Sequence, residues 1–135
     1  MSESWGPGLG RAPKPIAGGR PRLEVGIDCA DPLALAPFWL AALGYTGTRG
    51  DGNPYLDLIP PEGSVPVFLQ RVPEPKMVKN RLHLDLFSPD PEALVEDLRR
   101  RGATLVGEPF GGPHWAWQVM ADPEGNEFCV CREKA

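Results

Sequence analysis

The 135-residue chain has no apolar run near the ~20 residues that a membrane-spanning helix requires. Its opening stretch, MSESWGPGLGRAPKPIAGGRPR, lacks the apolar core of an export signal. A membrane is therefore not an expected partner. Basic charge is also short: 14 Lys and Arg stand against 18 Asp and Glu, a formal net charge of −4. Nucleic acid is not an expected partner either. The basic run Arg99-Arg100-Arg101 falls at a predicted helix end, where cations favour the helix dipole. Serine is scarce and has no histidine nearby, GxSxG is missing, and no Gly-rich phosphate loop follows a strand. Hydrolysis by a nucleophilic serine is not the expected chemistry. Three cysteines are too few and odd in number for a disulfide framework, and Cys129 and Cys131 lack the Cys-x-x-Cys spacing of a zinc site. Reduced packing thiols in a cytoplasm are the expectation.

Glycine (16) and proline (17) are plentiful, and they crowd the N-terminus, which predicts a flexible tail over residues 1–21. The rest of the chain says one thing twice. Leu23, Asp31, Pro32, Ala34 and Leu35 recur at a constant offset as Leu82, Asp90, Pro91, Ala93 and Leu94. Gly44 recurs as Gly102, and the PEG ending at Gly63 recurs as the PEG ending at Gly125. Order and spacing together argue for two copies of one structural unit.

Each copy opens on an alternating aliphatic segment, RLEVGID or NRLHLDLF, which predicts a strand. Asp-Pro then supplies a helix N-cap with proline in the first turn, and Gly44 and Gly102 close the helices. Pro37 is expected to kink the first helix. Three strands follow in each copy, around 45–48, 55–59 and 65–72, then around 103–106, 115–120 and 127–132. The unit is βαβββ. Alternation puts Leu82, Leu84 and Leu86 on the side under a helix and His83, Asp85 and Phe87 on the other. By the same rule Leu23, Val25 and Ile27 oppose Glu24, Gly26 and Asp28, and Glu127 and Cys129 join the polar set. Phe38 and Trp39 read as core.

The paired βαβββ units, DPLALAPFWLAALGY in the first helix and DPEGNEF in the last strand resemble the vicinal oxygen chelate superfamily of glyoxalases, bleomycin-resistance proteins and extradiol dioxygenases. The small glyoxalase-like proteins of actinobacteria, in which FW, HLDL and DPEGNEF recur, look most similar. The resemblance implies an α+β fold, with two tandem modules whose curved mixed sheets enclose a pocket. It implies one domain over 22–133, with module one at 22–72, a linker at 73–80 and module two at 81–133. Metal-dependent members bring four strand positions to one divalent ion, and those positions here are Glu24, Val67, His83 and Cys129. The closing carboxylates are missing, so a metal-free site is the preferred expectation. The alternative is a zinc, manganese, nickel or iron centre on Glu24, His83 and Cys129 or Glu127, in a lyase or dioxygenase.

Two readings of His83 stand side by side: a cavity histidine bonded to Glu24 or Asp85, and a general base steered by Asp85. Glu24 and His83 are the catalytic candidates. Asp85, Glu127, Trp115, Trp117 and Gln70 are the candidate ligand-binding residues, although strand packing accounts for at least one of the two tryptophans and a solvated edge explains Gln70 equally well. The expected function is binding of a small organic molecule, for drug sequestration or for metal-free lyase or isomerase chemistry through His83. The expected assembly is a homodimer.

Overall fold

A computed structural model describes residues 21–133. The flexible tail expected over 1–21 lies, but for Pro21, outside the described residues. The described residues group into two compact units, divided in the sequence chiefly at Glu74–Pro75, with Ala41–Leu43 assigned to the second.

The first copy runs β1 (Val25–Cys29), α1 (Pro32–Leu43), β2 (Thr48–Arg49), β3 (Tyr55–Leu58) and β4 (Val67–Arg71). Its sheet has the order β1-β4-β3-β2, with β1 and β4 parallel and the other pairs antiparallel. The second copy runs β5 (Leu84–Ser88), α2 (Pro91–Arg100), β6 (Thr104–Leu105), β7 (Trp117–Ala121) and β8 (Glu127–Arg132). Its order, β5-β8-β7-β6, repeats the first, with the same parallel pair. The expected α+β architecture of two βαβββ repeats is present. The final strand of each copy sits centrally, beside the opening strand, so residues from both ends of a copy meet on one sheet face.

Local chemistry explains the helices. Asp31 Oδ1 accepts from the Ala34 N–H at 3.3 Å and Asp90 Oδ1 from the Ala93 N–H at 3.2 Å, satisfying first-turn donors that the helix leaves open. Gly44 closes α1 at φ 72°, a left-handed conformation that glycine takes without strain. α1 has no charged residue and buries Leu35, Ala36, Phe38 and Trp39. It continues through Pro37 rather than ending there. α2 is amphipathic, with Leu98 fully buried and Asp97 paired on its outer side with Arg100 and Arg101.

Several strand limits differ from the expectation. β1 and β5 begin at Val25 and Leu84, so Glu24 and His83 stand just ahead of their strands. Leu23 and Leu82, assigned by alternation to the packed side, are 68% and 88% exposed. The parity was right, but they lie beyond the paired ladder, where no neighbouring strand supports burial.

Candidate ligand cleft in the second unit

β5, β8 and β7 build the cleft from one face of the second sheet. His83, Asp85 and Phe87 alternate along β5 and its leading residue, Glu127, Cys129 and Cys131 along β8, and Trp117 and Val119 along β7. With Lys79, Phe110, Ala116, Phe128 and Arg132 they line a cleft of about 590 Å³. That size suits a small organic molecule.

The aromatic rim depends on a short closed loop. The Phe110 N–H donates to the Trp117 carbonyl at 2.9 Å, and the Ala116 N–H donates back to the Phe110 carbonyl at 2.6 Å. Gly111 makes that closure feasible: its φ is 104°, and a Cβ there would lie 2.6 Å from the Ala116 nitrogen. The bridge lays the Phe110 and Trp117 rings together, with centroids 4.9 Å apart and planes 21° from parallel.

Polar groups gather at the start of β5. His83 Nδ1 lies 2.9 Å from Asp85 Oδ1. A carboxylate can only accept, so in this contact Nδ1 would be the donor, and a ring carrying that proton alone would present Nε2 as an acceptor. Cys129 faces Asp85 across the parallel ladder. Burial, then the Asp85 charge, push its thiol up to about 11. Cys131 is raised by the same two causes. Both thiols stay protonated near neutrality and are poor nucleophiles.

The charged residues of β8 are already partnered. Glu127 takes Lys79 at 3.1 Å and the Asn80 N–H at 3.1 Å. Burial works to raise its carboxyl pKa, but those two donors outweigh it and the net shift is downward. At the far end of the strand, Arg132 Nε donates to the Trp115 carbonyl at 2.9 Å, and its guanidinium lies 5.4 Å from the Trp115 ring centroid. It also forms an ion pair with Glu92 of α2. The hydrogen bond from Arg132 is the chief cause that lowers the Glu92 pKa.

The second unit thus brings together His83, Asp85, Trp117, Glu127 and Cys129. Trp115 lies outside the lining, holding Arg132. Glu24 and Gln70 belong to the first unit: Arg22 pairs with Glu24 at 2.9 Å, and Gln70 is buried in β4 beside Asp28 and Tyr55 of the adjacent strands. Phe110, Lys79 and Arg132 were not anticipated. The Gly-Gly directly after Phe110 was the available signal for the first, since it permits the turn that brings Phe110 onto Trp117.

The sequence matches the profile of the glyoxalase-like domain over residues 24–131. The chain belongs to the glyoxalase-like domain family. No curated protein matches this glyoxalase-like chain. Solved structures share its fold. A glyoxalase/bleomycin resistance protein/dioxygenase family enzyme from Burkholderia phytofirmans PsJN is 21% identical, with 81% of this chain and 95% of that one covered at a TM-score of 0.62. A glyoxalase/bleomycin resistance protein from Albidiferax ferrireducens T118 is 18% identical, covering 82% and 97% at 0.62. TnmS3, an antibiotic binding protein from Streptomyces sp. CB03234, is 18% identical, covering 88% and 100% at 0.62.

The glyoxalase-like family raises the question of a divalent metal, and strand register bears on it. Gly26 faces Phe68 where Asp85 faces Cys129. The first-copy counterpart of Cys129 is therefore Phe68, one residue beyond the Val67 expected from the PEG spacing. Phe68 offers no donor atom, and Cys129 offers a buried, protonated thiol rather than a carboxylate. His83, Asp85 and Cys129 do each present a donor atom, all within 4.8 Å of one another. Asp85 was not anticipated as a donor; its position two residues past His83, on the same strand face, was the sign. Neither closing position carries the family's carboxylate, and this residue set does not fit a centre of that type.

Proposed function

We propose that this glyoxalase-like protein binds a small organic molecule in the second unit's cleft without a metal ion. Phe87, Phe110 and Trp117 form the apolar walls, and His83 with Asp85 forms the polar anchor. The exposure of the stacked Phe110 and Trp117 rings, 46% and 42%, on a concave surface carries this reading. Aromatic surface held open to water at a cleft gains free energy when a ligand covers it. The antibiotic binding activity stated for TnmS3 supports sequestration of a drug-like compound as the role. In a catalytic variant of the same reading, His83 Nε2, oriented through Nδ1 by Asp85, takes a proton from the bound molecule and returns it, as a metal-free lyase or isomerase requires. The protein acts in the cytoplasm as a homodimer, in which a second copy covers exposed aliphatic side chains such as Leu82.

The test is titration of the full-length protein with a panel of aromatic natural-product antibiotics, followed by tryptophan fluorescence. At least one compound should bind, and Trp117→Ala should weaken it about tenfold. A panel that binds nowhere, or binds equally to the variant, removes the cleft as the site. Metal analysis after incubation with zinc, manganese, nickel and ferrous iron should find none retained. Near-stoichiometric metal that disappears in His83→Ala would instead establish a metal site at His83, Asp85 and Cys129.

A further inference from the structure

We infer that the cleft selects a flat aromatic molecule bearing a basic amine, with its ammonium at Asp85, and that Glu92 enforces the choice by masking Arg132. This deepens the small-molecule reading of the same cleft and rests on it. Lys79 and Arg132 are the cleft's cations, and each has a carboxylate against it: Glu127 for Lys79 and Glu92 for Arg132. Arg132 is further held by the Trp115 carbonyl and ring. An acidic ligand would have to displace one of these pairs.

Asp85 is placed differently. Its partners are the His83 ring at 2.9 Å and the Cys129 thiol, and among the described residues no Lys or Arg forms an ion pair with it. Its side chain is 41% exposed and lines the cleft, so a ligand group can reach it. Counting Glu92 with the lining, Asp85 leaves one carboxylate in excess. The rings of Phe87 and Trp117 stand in the same cleft. A ring face attracts a cation and stacks on a flat aromatic body. Charge and shape together favour an aromatic amine and oppose an aromatic acid.

Three naphthalenes of matched size separate the possibilities by calorimetric titration at neutral pH: naphthylmethylamine, naphthylmethanol and naphthoate. The amine should bind wild-type protein about tenfold more tightly than the alcohol, and naphthoate should bind most weakly. Asp85→Asn should bring the amine down to about the level of the alcohol measured on the same variant. Glu92→Gln, which lies outside the cleft, should strengthen naphthoate about tenfold by freeing Arg132. Naphthoate binding as tightly as the amine, or an amine preference that survives Asp85→Asn, would overturn the ligand class. Naphthoate binding unchanged in Glu92→Gln would overturn the masking role. If none of the three binds, the aromatic cleft fails as a site and this inference fails with it.

Discussion

The two copies share one frame and differ in what covers it. Arg71 and Arg132 occupy matching places, opposite Cys29 and Ser88 in their parallel ladders. Each donates from Nε to a carbonyl just ahead of the third strand, Gly52 in one copy and Trp115 in the other. On the open face the copies part. The Phe68 ring lies so close over Gly26 that a Cβ there would approach it to 2.4 Å. Tyr55 meets Phe68 edge-on at 6.1 Å. The first copy thus spends its aromatics on its own sheet. In the second copy Asp85 and Cys129 stand at the Gly26 and Phe68 places, and the aromatics stand at a rim. The cleft therefore comes from side-chain exchange on a repeated backbone, and the fold alone does not make it.

The largest expected effect tests whether the core of the two copies is equally invested. Val67 and Phe128 hold the same register position, opposite Val25 and Leu84. Both are buried, Phe128 completely. Phe128→Ala should cost about 3–5 kcal/mol, because it removes a large ring and leaves a cavity, and Val67→Ala should cost distinctly less. Urea unfolding of the two variants measures the difference. Equal losses would mean that the surroundings, not the side chains, set the stability at this position.

A smaller effect sharpens the contrast between the faces. Gly26→Ala should cost about 1–3 kcal/mol by overpacking against Phe68. The same change in a Phe68→Ala background should cost little, giving a strongly non-additive double-mutant cycle. An additive cycle would show that the Phe68 ring swings aside freely, and that the first face is open in the way the second is.

Much of this architecture was legible because it is local. Asp-Pro caps, closing glycines and alternating strands act over a few residues, and all recur in the structure. The His83, Asp85 and Cys129 cluster was partly legible for the same reason, since strand parity put all three on one face. The first closing position was misplaced by one residue, and the turns explain why. In the second copy, Asp122 accepts from the Glu124 and Asn126 N–H groups at 2.8 and 2.9 Å, and β8 begins promptly at Glu127. The first copy has Pro60 in that place, without an acceptor side chain, and β4 begins only at Val67. A one-residue slip exchanges the faces of a strand. The Phe110–Trp117 stack went unread although its signal is local, the Gly-Gly that lets the short loop close. The Glu92–Arg132 pair was not legible, because it joins residues 40 apart and no local pattern reports that they will meet.

The smallest expected effect concerns Glu127, whose counterpart in the strand register is Pro66, a residue without a charge. Its carboxyl is held below the ordinary value of 4.5: burial opposes this, but the Asn80 N–H and Lys79 prevail. A carboxylate depressed in the folded state contributes stability that is present above its ordinary value and lost as pH falls through the depressed one. Glu127→Gln keeps an acceptor for Asn80 but removes the charge. It should therefore lower the urea midpoint at neutral pH and converge with the parent protein in acid. Lys79 is largely exposed, so solvent screens the pair and the loss should be only about 0.2–1 kcal/mol. If the gap between variant and parent persists unchanged in acid, the Glu127 side chain holds the 79–80 segment by packing and neutral hydrogen bonds. The charge difference between the two copies at this position would then contribute nothing to stability.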